Sequence, residues 1–98
     1  MNEMEREIFR KALSRYGGFA QITILFEEMA ELQNALCKAL RGRMDGGTPL
    51  NIAEEIADVG IMLDQMAIEF RVDDAVAAQR AYKVERLRGR IEGRGHDV

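Results

Sequence analysis

Tryptophan is absent from the 98 residues, and proline, cysteine and histidine occur once each. A single cysteine, Cys37, cannot close an internal disulfide. With His96 as the sole histidine, a Cys/His zinc set and a Ser/His or Cys/His nucleophile pair are both excluded. No apolar run approaches the roughly 20 residues needed to span a bilayer, and acids stand at the N-terminus where a signal peptide needs a basic and then apolar start. The expectation is a cytoplasmic protein with no membrane partner. A basic excess is missing too: 17 Asp and Glu against 14 Lys and Arg give a formal charge of -3, which argues against nucleic-acid binding.

What is present is 47% hydrophobic and 32% charged sequence, the balance of one folded domain. Such a short chain builds only a modest core, so association with further copies is a natural supplement. Strand-type alternation is missing and only Pro49 interrupts, so helix is the default. We expect an all-α fold of about four helices, with one domain over residues 1–92 and a C-terminal tail over 93–98.

Asn2 with Glu5 is a capping box, and Ile8, Phe9, Ala12, Leu13 and Tyr16 follow at helical spacing until Gly17-Gly18, giving a first helix over 3–16. Ile22, Leu25, Phe26, Met29, Leu32, Leu36 and Leu40 mark a second helix over 20–41. Residues 42–50, with Gly46, Gly47 and Pro49, form a loop that also holds Arg43 and Asp45. Asn51 with Glu54 reads as a second capping box, opening a third helix over 52–70 with Ile52, Ile56, Val59, Leu63, Met66, Ala67 and Phe70 on its apolar face. Asp73 or Asp74 caps a fourth, more basic helix.

Two segments nearly repeat: Phe26-Glu27-Glu28-Met29-Ala30-Glu31-Leu32 and Ala53-Glu54-Glu55-Ile56-Ala57-Asp58-Val59. Residues three apart are neighbours on a helix, so Glu28/Glu31 and Glu55/Asp58 are two-carboxylate claws. A solvated acidic face would lie opposite the apolar stripe. Glu28 and Glu55 instead lie roughly 70–90° from its centre. Four carboxylates gathered between packed helices repel unless compensated, and hard oxygen donors without His or Cys suit Mg²⁺, with Mn²⁺ as the alternative. Such an ion keeps positions for water and substrate phosphates. The plain alternative is that these acids decorate helix surfaces and first turns, which fits Glu54 but not mid-helix Glu28 and Glu31.

Glu-Glu-x-x-Glu at 27, 28 and 31, followed by Glu-x-x-Asp at 55 and 58, resembles the MazG-like group of all-α nucleoside triphosphate pyrophosphohydrolases. The resemblance covers about residues 20–90, including Tyr82-Lys83-Val84-Glu85-Arg86-Leu87. It implies a helical bundle completed by oligomerisation, as a dimer or tetramer. It implies Mg²⁺ on Glu28, Glu31, Glu55 and Asp58, with Glu27 holding a second metal or positioning the attacking water beside Glu28. It also implies hydrolysis of a (d)NTP to the monophosphate and pyrophosphate, as in nucleotide-pool house-cleaning. Ala57, Ile61 and Ile68, on a second side of the third helix, agree with an oligomer. Some relatives use a tryptophan against the base. Here Phe9, Tyr16, Phe19 and Phe26 could stack one instead, though such residues are more often core. Lys38, Arg41 and Arg43 after the first claw, and Lys83 and Arg86 on the last helix, are candidate phosphate contacts, or else complement a helix end and a solvated basic face. Two other readings stand beside this one: a phosphoribosyl-ATP pyrophosphohydrolase-type enzyme of the same superfamily, and a non-catalytic helical interaction module.

Overall fold

The protein is represented by a computed structural model that describes residues 1–42 and 48–93, with the backbone alone at Thr48 and Pro49. Arg43, Asp45 and His96, and all of the expected tail beyond Gly93, lie outside the described residues. Four helices follow in order: α1 (Glu3–Tyr16), α2 (Gly18–Leu40), α3 (Thr48–Glu69) and α4 (Asp73–Ile91), with no strand among the described residues. None of them is long and apolar enough to cross a membrane.

The start of α1 follows from its capping box. The Glu5 backbone N–H donates to Asn2 Oδ1 at 2.8 Å, and the Asn2 N–H donates to Glu5 Oε1 at 2.9 Å. Gly17, at φ 88°, ends α1 and lets α2 begin one residue later, slightly before the expected position 20. The α3 start differs more: it opens at Thr48, so Asn51 lies inside the helix and does not cap it. Proline in a first helical turn forfeits no intrahelical hydrogen bond and has φ already set, so Thr48-Pro49 outcompetes Asn51 as the start signal. At its other end Val72 N–H donates to Ala67 O at 2.9 Å and Arg71 N–H to Ile68 O at 3.1 Å, with Arg71 at φ 56° in the position glycine usually takes. Val72, not Asp73 or Asp74, is the α4 N-cap; both aspartates fall in the first turn. There Asp73 accepts from Arg6 of α1 at 2.8 Å, tying the root of α4 to the first helix.

The framework is the antiparallel hairpin of α2 on α3, which α1 crosses, while α4 packs on α3, is tied to α1 at its root by Arg6 and Asp73, and has no buried residue. Phe9, Leu25, Ala35, Met62 and Ala67 form the buried apolar set, joined by Gln21 and Gln65. Thus Leu25 of the expected α2 stripe is buried, whereas Phe26, Met29, Leu36 and Leu40 are exposed. On α3, Ile56, Leu63 and Phe70 are exposed likewise. The helices meet on a face rotated away from their apolar stripes, and that face carries the acids. Phe9 is the one candidate aromatic in the core; Tyr16, Phe19 and Phe26 are exposed, and Met29 is exposed where Met62 is buried.

Gln21 Nε2 donates to Gln65 Oε1 at 2.7 Å inside the seam. A buried amide that loses its partner costs about 1–3 kcal/mol, whereas removal of both is far cheaper. Gln21→Leu should therefore destabilise by about that amount in urea titrations. The double variant Gln21→Leu/Gln65→Leu should recover most of the loss, and additive losses would show that the pair is not coupled.

Candidate metal centre

Register places the acids. Seven residues along α2 from Gln21 is Glu28, and seven back along α3 from Gln65 is Asp58; three further steps reach Glu31 and Glu55. The buried amide pair thus fixes Glu28 across from Asp58 and Glu31 across from Glu55, and the Glu28–Asp58 and Glu31–Glu55 carboxyl groups approach to hydrogen-bonding range. The two near-repeats are related by a local two-fold relationship across the seam: exchanging Glu28 with Glu55 and Glu31 with Asp58 returns the same pairs.

Carboxylate oxygens of Glu28, Glu31 and Glu55 lie within 4.8 Å of one another. Donors bound to one Mg²⁺ at about 2.1 Å sit roughly 3–4 Å apart, so slight closure of three side chains would suffice. Glu28 and Glu55 are half-buried, while Glu31 is exposed and gives the group an opening to solvent. Asp58, three residues along α3 from Glu55 and across from Glu28, adds its charge to both. Two oxygens, Glu28 Oε2 and Glu55 Oε2, are buried without a hydrogen-bond donor. Buried carboxylate oxygens normally find a donor, and a cation satisfies them equally well. By donor type, spacing and orphaned oxygens, these residues fit a hard divalent ion.

Desolvation pushes the Glu28 carboxyl above its ordinary 4.5, and the charges of Glu31, Asp58 and Glu55 push the same way. Glu55 rises for the same first reason, then through Glu31 and Asp58. Glu27 and Glu54 are exposed on the shoulders of the seam, and Glu54 adds to the field at Glu55.

The other candidates divide. Lys38, half-buried, sits seven residues after Glu31 and so on nearly the same side of α2, two turns nearer the loop. Arg41 is the exposed C-cap residue of α2. Lys83 and Arg86 belong to α4, which packs against α3, with Lys83 exposed and Arg86 half-buried. Arg86 lies over the Tyr82 ring at 6.0 Å. Phe26, two residues from Glu28, is roughly 160° away around α2 and faces away from the claw. Sequence periodicity gave no warning of Gln21 and Gln65, because glutamines in an apolar-acidic helix read as surface. Family models, curated proteins and solved structures give no match to this chain.

Raised carboxyl values mean that the native state holds protons the unfolded chain has shed. The associated stability is complete below 4.5 and is lost as pH rises through the folded values. Asp73 runs oppositely: Arg6 holds it below its ordinary 3.8, so its contribution is present above that value and is lost as pH falls through the lowered one. Metal-free protein should therefore melt higher near pH 5 than at pH 7.5, and lower again in strong acid. Mg²⁺ at 100 times its Kd should add about 2.7 kcal/mol at pH 7.5, on the order of 10 °C, and progressively less toward pH 5. Glu28→Gln should raise the metal-free melting temperature and abolish the Mg²⁺ increment. An unchanged increment in that variant would remove Glu28 from the ligand set.

Proposed function

We propose that the protein is a Mg²⁺-dependent nucleoside triphosphate pyrophosphohydrolase that converts a (d)NTP and water to the monophosphate and pyrophosphate. The observation carrying this reading is the set of four carboxylates built into the α2–α3 seam at Glu28, Glu31, Glu55 and Asp58, with two orphaned oxygens among them. A stabilising surface would not place uncompensated acids there. The MazG-like spacing of the same residues supports it from the sequence side.

In this reading Glu28, Glu31 and Glu55 hold the ion and Asp58 completes the set. Mg²⁺ bound there supplies charge neutralisation at the phosphates and a lowered pKa for a coordinated water, so no covalent nucleophile is needed. Glu27, exposed beside the claw, accepts a hydrogen bond from the attacking water and orients it. Lys38, on the same side of α2 as Glu31, steadies a phosphate oxygen released toward the loop, and Arg41 flanks the same end. With Phe9 buried and Phe26 turned away, base recognition falls to groups outside this claw.

The test is pyrophosphate release from each dNTP by the full chain in Mg²⁺. Metal stabilisation of transition-state charge is worth several kcal/mol, so Glu28→Gln and Asp58→Asn should each lower kcat/KM about 100-fold or more, with Mn²⁺ replacing Mg²⁺ in the wild type. Lys38→Ala should act more mildly and mainly on KM. Release no greater than that of Glu28→Gln, across all substrates, would refute hydrolysis and leave a metal-binding or interaction module.

A further inference from the structure

The local two-fold that relates Glu28 to Glu55 and Glu31 to Asp58 carries each position of α2 to the one 27 residues later on α3. The acids obey it and their neighbours do not. One turn before Glu28 stands Ile24, and one turn after Asp58 stands Ile61, both toward the Gln21–Gln65 end of the seam. Their counterparts at the other end are Asn51, one turn before Glu55, and Asn34, one turn after Glu31. At about 100° per residue, Ile24 lies roughly 40° from Glu28 toward Glu31, and Ile61 roughly 60° beyond Asp58, so both stand on the shoulder that carries the acidic opening. Asn51 and Asn34 hold the related angles, with half-buried Lys38 one turn past Asn34. A claw of near-symmetric charge therefore has an apolar end and a polar end.

The isoleucines are not needed to close the seam. Leu25 and Met62, beside them, are 8% and 6% exposed and fill it, whereas Ile24 and Ile61 leave 38% and 44% of their surface open. Asparagine serves at the related positions, so the framework does not demand an apolar residue there. The two ends suit the two halves of a nucleotide held by its phosphates. Sugar and base bring apolar faces that gain by leaving water, while a phosphate chain takes N–H donors and a cation. Resting on the nucleotide-hydrolysis reading above, we propose that the site takes its substrate in one direction, with the nucleoside over Ile24 and Ile61 and the terminal phosphates toward Asn34, Asn51 and Lys38. Pyrophosphate then departs at the loop end and the monophosphate stays against the isoleucines. Ile24 and Ile61 touch the nucleoside and not the ion, so they set nucleoside affinity without altering metal binding.

The test is calorimetric titration of the full chain in Mg²⁺ with inorganic phosphate, pyrophosphate and each dNMP. The wild type should bind at least one dNMP about 10-fold or more tighter than inorganic phosphate. Ile24→Asn/Ile61→Asn, which makes the two ends alike, should erase that preference while leaving pyrophosphate affinity and the Mg²⁺ melting increment in place. Lys38→Ala should do the reverse, weakening pyrophosphate about 10-fold and sparing the dNMP. Should the paired variant fail to fold, NMR of the wild type decides: dNMP should shift the Ile24 and Ile61 methyl signals, and pyrophosphate the Asn34 side-chain amide. A preference that survives the paired variant, no preference in the wild type, or isoleucine signals that respond to protein concentration and not to dNMP would overturn the assignment. Binding does not read hydrolysis. A chain that holds dNMP through the isoleucines yet releases no pyrophosphate from dNTPs would refute the catalytic reading alone, and dNTP hydrolysis unimpaired in the paired variant would refute only the direction.

Discussion

Like charges facing one another across a helical seam set the terms for the rest of this molecule. Glu28 meets Asp58 and Glu31 meets Glu55 because the antiparallel register is pinned two turns away by the Gln21–Gln65 hydrogen bond. A slip of three or four residues would separate the carboxylates and relieve their repulsion, and the paired amides oppose it, since either glutamine facing an apolar group would leave buried donors unmatched. Polar specification of register at a cost in cohesion is a known use of buried polar side chains. Here it holds together groups that would otherwise part.

Helix number and the ends of α1 were legible because they rest on local chemistry: a capping box whose two hydrogen bonds form as Asn2 and Glu5 predict, and a glycine with positive φ. The claws were legible for a similar reason, since i and i+3 proximity needs no tertiary information. What the residues did not disclose was the rotation of α2 against α3. Apolar periodicity locates a stripe but is silent on whether the stripe faces the chain itself or something else. Ile22, Phe26, Met29, Leu36 and Leu40 satisfy the helical pattern equally well in either case, and the fold instead buries the row running through Gln21, Leu25 and Ala35. The start of α3 was misread for a different reason, two adjacent start signals of which the proline-containing one prevailed.

The basic residues illustrate the limit of charge patterning. Lys38 shares a side of α2 with Glu31 because seven residues return nearly to the same angle, so its relation to the claw is local and readable. Lys83 and Arg86 depend on where α4 goes after Arg71 and Val72, and no spacing rule carries that information. The left-handed turn at Arg71 sets the direction of α4, which is fastened at its root by Arg6 on Asp73.

The apolar stripe and the acids therefore occupy opposite shoulders of the same two helices. A seam that packed only apolar residues would bind α2 to α3 more tightly; a seam with four acids contributes less to folding at neutral pH. The apolar residues that this rotation turns outward, Met29, Leu36 and Leu40 among them, line a groove with Leu32 and Val59 on the side away from the acids. The rotation that exposes Phe26 and Leu63 is the same rotation that brings Glu28 and Glu55 together, and neither feature can be changed without the other.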